Sequence, residues 1–156
     1  MAHSFRILMI CTGNICRSPM AEGLLRRMLS ESGQTDYAVS SAGTHALHGQ
    51  PAEAPAVAVM ASRGIDISAH RARRLNKRML KAADLVLVME EMHLRFVRRL
   101  LLFGHRHAYR LGRFDPDGVV NDIPDPIGGD EQAYVASAAM IAACLREVVG
   151  QIETYR

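Results

Sequence analysis

Two hydrophobic periodicities meet across seven residues near the start of the chain. Phe5–Ile10 (FRILMI) is a short apolar run suited to a buried strand. Cys11–Arg17 (CTGNICR) follows without a linker. Ala21, Leu24, Leu25, Met28 and Leu29 then repeat at helical spacing up to Gly33. Ser18 suits the N-cap of that helix and Pro19 its first position. A strand passing into a helix through so short a turn commits the chain to a βα unit, and the alternation continues. Tyr37–Ser41 reads as a strand closed by Ala42-Gly43, Pro51–Arg63 as a helix ending at Gly64, and Asn76–Ala83 as a short helix. Leu85–Met89 (LVLVM) is the clearest buried strand, Glu90–Leu102 a helix stopped by Gly104, and His107–Leu111 a fourth strand. A loop rich in Asp, Pro and Gly runs from Asp115 to Gly129 before a long helix over Asp130–Gln151. The pattern predicts an α/β fold, a parallel sheet with helices on both faces. Ligands in such folds bind beyond the carboxyl ends of the strands, which puts the chemistry in the turn after the first one.

At 156 residues there is room for one domain, spanning 1–156. The longest uninterrupted apolar run, Ala138–Leu145, falls well short of the ~20 residues that span a bilayer, so no membrane insertion is expected. Ile7–Cys11 is shorter than the ~7-residue apolar stretch of a secretory signal, and an odd count of three cysteines fits a reducing compartment. The expected location is cytoplasmic. Of 19 basic residues, 17 are Arg, either a compositional bias or a preference for phosphate and carboxylate partners.

Cys11 and Arg17 stand at C-x5-R spacing. With so many arginines, a cysteine has one at that offset by chance in roughly one chain in three, so the spacing alone says little. Its place between a buried strand and a helix N-terminus says more. Gly13 and Asn14 tolerate unusual backbone angles there. Successive backbone N–H groups in such a loop form an anion cradle, reinforced by the positive end of the helix dipole. The same field favours an anionic sulfur at its floor, and the Arg17 guanidinium can hold two phosphoryl oxygens at once. Ser18 can donate its hydroxyl to that sulfur or spend it on the helix cap. Cleavage of a phosphate ester also needs an acid for the leaving oxygen. Asp122, Asp125 and Asp130 are the candidates in the late loop. Asp125 is favoured because Pro126 fixes the backbone beside it, although a plain Asp-Pro turn fits as well.

Cys11–Glu22 (CTGNICRSPMAE), Ser41-Ala42-Gly43 and Asp122–Gly128 (DIPDPIG) together resemble the low-molecular-weight protein tyrosine phosphatases, over nearly the whole chain. The resemblance implies a four-stranded, flavodoxin-like three-layer sandwich and a phosphocysteine intermediate, with no metal and no cofactor. It makes Cys11 the nucleophile, Arg17 the phosphate clamp and Asp125 the general acid. The phosphoryl group would lie against the loop residues Thr12, Gly13, Asn14, Ile15, Cys16, Arg17 and Ser18. Asn14 would hold the loop in shape, supported by Ser41 and His70. Ser41–Leu47 (SAGTHAL) and Leu101–His105 (LLFGH) resemble the bacterial branch linked to exopolysaccharide export, which implies a phosphotyrosine protein substrate such as a tyrosine autokinase. Many members carry an aromatic residue after the Asp-Pro, as a wall beside the substrate ring. Here Ile127 stands in that place, with Leu47 and His48 as candidates for the opposite wall. Arginine phosphatases share the CTGN start but tend to carry Thr at the position of Ile15. Arsenate reductases share the loop but need further cysteines, and only the isolated Cys144 remains. A non-catalytic phosphate-binding module would keep the cradle and lose Cys11 or the acid.

Cys16, by the same likeness, lies beside Cys11, where it either traps an oxidised Cys11 as a disulfide or simply packs the loop. Cys144, in an alanine-rich helix, reads as core. The seven histidines show no metal spacing. The run Arg71, Arg73, Arg74, Lys77, Arg78 and Lys81 reads as a solvated face or a dock for an acidic partner tail. It lacks the interleaved aromatics that nucleic-acid binding would use.

Overall fold

The computed structural model describes residues 3–156. Its four strands, β1 (Phe5–Cys11), β2 (Tyr37–Gly43), β3 (Leu85–Val88) and β4 (Ala108–Arg110), form one parallel sheet in the order β2-β1-β3-β4. β1 is central, so all its side chains but that of Arg6 are buried, on both faces. Phe5, Ile7, Met9 and Cys11 point to one side, and Leu8 and Ile10 to the other. β3 divides likewise, with Leu85 and Leu87 joining the first set and Val86 and Val88 the second.

The first face is covered by α1 (Arg17–Glu31), α2 (Ala54–Ser62) and α5 (Glu131–Gln151), through Leu25, Met60, Ile141 and Leu145. The second is covered by α3 (Lys77–Ala82) and α4 (Glu91–Leu100), through Leu80, Leu94 and Val97. This is the three-layer α/β sandwich expected from the alternation. By length and apolar composition α5 would suffice to cross a bilayer. It is a core helix, with Ala138, Ile141, Leu145 and Val148 wholly buried in the core on the first face.

Several boundaries depart from the sequence expectation. β2 continues two residues beyond Ser41, because Ala42 and Gly43 still pair with Ile10 and Cys11. α2 begins at Ala54 rather than Pro51, since Glu53 stays extended and gives its amide to the Ile15 carbonyl at 2.8 Å. α4 ends at Leu100, where Leu101 turns out of helical geometry. One-turn 3₁₀ helices at Leu111–Phe114 and Ile152–Tyr155 carry no periodicity long enough to be read in advance. α1 begins at Arg17 with Cys16 as its N-cap and no side-chain cap, so Ser18 does not cap it. The Ser18 hydroxyl is used elsewhere.

Candidate active site

β1 delivers Cys11 to the carboxyl edge of the sheet, 3% exposed. Its Sγ lies 2.9 Å from Ser18 Oγ and accepts the Asn14 amide at 3.3 Å. The Ser18 hydroxyl is thus held against the sulfur by the first turn of α1. The amides of Gly13, Ile15 and Cys16 meet no acceptor among the described residues. These donors, curled around a sulfur at a helix N-terminus, make a cavity for a tetrahedral anion.

Asn14 sets the curl. It is fully buried at φ +56°, the left-handed region that Asn enters more cheaply than most residues. Its Nδ2 donates to Ser18 Oγ (2.8 Å) and Ser41 Oγ (2.9 Å), and its Oδ1 accepts the Arg73 amide at 3.0 Å. His70 Nε2 meets the Asn14 carbonyl at 2.6 Å. Ser41 in turn donates to Glu22 Oε1 at 2.8 Å. Asn14, Ser41 and His70 therefore come together, with Glu22 and Arg73 added. β2 ends on Gly43 for a steric reason: a Cβ there would stand 2.5 Å from the Thr12 carbonyl oxygen.

Arg17 is 1% exposed, and a charge so buried requires partners. Its Nη1 donates to Glu90 Oε2 (2.8 Å) and to the Ile123 carbonyl (2.7 Å), and its Nη2 lies 3.4 Å from Asp125 Oδ2. Glu90 went unread in the sequence, as did His93. Burial, then the nearby Arg17 charge, push the His93 imidazole down to about 4, so it is neutral at pH 7. Its Nδ1 accepts the Glu90 amide at 3.0 Å. The proton therefore sits on Nε2, which donates to Thr12 Oγ1 at 2.8 Å. β3 and the first turn of α4 thus brace the loop from the sheet side. The signal available was the pair Glu90-Glu91 at the carboxyl end of the strand adjoining β1.

The three late aspartates separate by what they already bind. Asp122 Oδ1 accepts the Glu91 amide (3.0 Å) and Arg110 Nη1 (3.3 Å). Asp130 caps α5 through the Ala133 amide. Asp125 accepts only the Ile127 amide, at 3.1 Å, leaving its other oxygen toward Arg17. Its loop is fastened over the site by the Ile123 amide on the Met89 carbonyl, at 2.8 Å.

The three wall candidates are not brought into a packed surface. Leu47 and Ile127 stand 66% and 53% exposed, and His48 is exposed too. The aromatic pair beside the loop is instead His45 with Phe96, edge-on at 5.6 Å, and the His45 amide binds the Thr12 carbonyl. Cys16 lies in the loop with its thiol 3.6 Å from the Tyr134 hydroxyl, and burial pushes that thiol up to about 12. Cys144 is buried in α5 and pushed up to about 11 by the same cause. Among the described residues no group of His, Cys, Asp and Glu could hold a metal ion.

An α/β sandwich with a buried Cys–Arg anion loop and a carboxylate above it belongs to the cysteine-dependent phosphatase class of architecture. The model of one family, the low molecular weight phosphotyrosine protein phosphatases, matches residues 6–155. A relative from Ralstonia solanacearum named "Probable low molecular weight protein-tyrosine-phosphatase EpsP" is 42% identical over 86% of this chain and 87% of its own length. The low molecular weight protein-tyrosine-phosphatase Etp of Escherichia coli K12 is 34% identical over 90% of each chain. Among solved structures, the low molecular weight protein tyrosine phosphatase from T. tengcongensis superposes with a TM-score of 0.87 at 36% identity, covering 95% of this chain and 99% of that one. The YwlE arginine phosphatase from Geobacillus stearothermophilus gives 0.84 at 31% identity, covering 96% and 94%. The chain belongs to the low molecular weight phosphotyrosine protein phosphatase family.

Proposed function

We propose that this chain hydrolyses phosphotyrosine in proteins through a phosphocysteine on Cys11. One observation carries the reading: Arg17, the fully buried last residue of the anion loop, sets its guanidinium 3.4 Å from the Asp125 carboxylate, while Ser18 and Asn14 hold the Cys11 sulfur at the loop floor. In the first step the Cys11 thiolate attacks phosphorus, an S–P bond forms and the P–O bond to the ring breaks. Asp125 supplies the proton that the phenolate takes. In the second step a water attacks phosphorus, Asp125 takes its proton, and the S–P bond breaks. The Ser18 hydroxyl, 2.9 Å from the sulfur, stabilises the departing thiolate. Arg17 spans the phosphoryl oxygens throughout, held in place by Glu90 and the Ile123 carbonyl. No metal or cofactor enters.

Ile15 supports the choice of ester over phosphoramidate. It packs against the core and offers no hydrogen bond to a guanidinium leaving group. Arsenate reduction is disfavoured because the third cysteine, Cys144, is 1% exposed and cannot relay a disulfide outward. The substrate class we propose is a tyrosine autokinase of an exopolysaccharide-exporting system. Side-by-side turnover of phosphotyrosine, phosphoserine and phosphoarginine peptides, with chelator present, tests the reading. Phosphotyrosine is expected to be cleaved fastest, and Ile15→Thr should move the ratio toward phosphoarginine. Faster cleavage of phosphoarginine by the parent protein would overturn the substrate assignment.

A further inference from the structure

At the end of the sheet opposite Cys11, the turn between α4 and β4 carries the two most exposed large apolar residues in the described chain. Leu102 is 87% exposed and Phe103 98%. They are not the loose ends of a mobile loop. Leu101, just before them, packs against the core of the α3/α4 face, and Gly104 closes the turn at φ +72°. His105, just after, is pinned on both sides: its Nδ1 accepts the His107 amide at 3.0 Å and its Nε2 donates to the Ala83 carbonyl at 2.8 Å. Two apolar side chains are thus presented to water from a fixed stem, a cost with no return inside the folded chain.

The charge around them is one-sided. Residues 70–83 and 93–110, which include α3 and α4 from its third residue on, hold 11 Lys and Arg and no Asp or Glu, the intervening acids being Asp84, Glu90 and Glu91. Arg95 and Arg98 lean toward Glu91 at the far end of α4. Lys77, Lys81, Arg99 and Arg106, nearer the tip, are exposed and make no ion pair among the described residues. A hollow of about 460 Å³ lies between α3 and the tip, lined by Lys77, Lys81, Arg106 and the apolar turn, with no carboxylate in its wall.

We propose that this end of the molecule is an interfacial anchor for an anionic lipid surface. Leu102 and Phe103 enter the headgroup layer, and the surrounding Lys and Arg side chains lie on the lipid phosphates. The contact is peripheral and is not a bilayer span. A protruding apolar pair ringed by cations fits a fluid anionic surface, which needs no complementary pocket. A protein partner would have to supply such a pocket. Because the strands are parallel and Cys11 lies at their carboxyl ends, an anchored molecule turns its catalytic loop away from the lipid.

Co-sedimentation of the full chain with vesicles tests this, using equimolar phosphatidylglycerol and phosphatidylcholine against phosphatidylcholine alone. Turnover of a small aryl phosphate in every variant confirms that each is folded. The parent protein should bind the anionic vesicles and not the neutral ones, and 0.5 M salt should release it, since about that concentration shortens the reach of the charges to a few ångströms. Leu102→Ser with Phe103→Ser should weaken binding at least about tenfold. Neutralising Lys81 and Arg106 to Gln should weaken it about fivefold for each cation removed. Failure of the parent to bind anionic vesicles, or binding that survives both sets of substitutions, overturns the proposal. So does self-association that depends on Phe103, which would make the tip a contact between copies.

Discussion

Replacing Asn14 separates backbone strain from hydrogen bonding in the loop that carries Cys11. Asn14→Ala removes two donor bonds, to Ser18 and Ser41, and strips the Arg73 amide of its acceptor. Each lost bond costs about 0.5–1.5 kcal/mol, and the orphaned amide about 1–3 kcal/mol. Ala at φ +56° adds roughly 1–2 kcal/mol of steric strain. The total, about 3–8 kcal/mol, is a large part of the ~5–15 kcal/mol that holds a domain of this kind together. Asn14→Gly loses the same bonds without the strain, and the extra freedom of Gly in the unfolded chain costs about 0.5–1 kcal/mol. Gly should therefore be the more stable replacement, by about 0.5–1 kcal/mol, reversing the usual order of Ala and Gly. Urea titration with unchanged m-values measures the stabilities. Phosphate inhibition constants and kcat from the same preparations measure the loop, and both variants should lose kcat because Ser18 is no longer aimed at Cys11. The reasoning is refuted if both variants stay within about 1 kcal/mol of the parent and turn over normally, or if Ala proves more stable than Gly.

Three further perturbations act on other parts of the site. Asp125→Ala should lower kcat by about 10²–10⁴ for phosphotyrosine and much less for an aryl phosphate whose leaving group needs no proton, while Asp122→Ala should show no such dependence on the leaving group. Equal losses for both substrates in Asp125→Ala would reduce Asp125 to a turn residue. Glu90→Gln keeps an acceptor for Arg17 Nη1 but removes the charge, so kcat/KM should fall by about 10–100-fold; an unchanged value would show that Glu90 does not orient the guanidinium. His93 is held near pH 4 by burial against 6.5 for a free imidazole, so unfolding takes up a proton between those values. The stabilising contribution is complete above pH 6.5 and lost as pH falls toward 4, about 3 kcal/mol in all. His93→Gln, which keeps a donor for Thr12, should flatten that slope in urea titrations across the range, and an unaltered slope would refute it.

The residues legible in the sequence were those whose roles are fixed locally. Cys11 to Arg17 is one contiguous turn, so the strand before it and the helix after it already dictate a cradle. Asp125 was singled out by its neighbour Pro126, but only the bonds made by Asp122 and Asp130 separate it from them. Glu90 and His93 reach the site because β3 lies beside β1, a pairing that no local pattern announces. Ser18-Pro19 misled for a related reason: the dipeptide is a good helix start, yet the loop needs that hydroxyl for Cys11 and moves the cap to Cys16. The His45–Phe96 contact beside the loop joins segments 51 residues apart, so no local pattern announces it.

The central claim is that phosphorus passes through the Cys11 sulfur. Rapid acid quench during turnover of a phosphotyrosine peptide, followed by peptide mass mapping, tests it directly. A phosphoryl group should appear on the peptide containing Cys11 within the first turnover and vanish as substrate is exhausted. The Cys11→Ser protein should bind phosphate-like anions in the same loop and show no turnover. Turnover without any label on Cys11, or activity surviving in Cys11→Ser, would contradict the account.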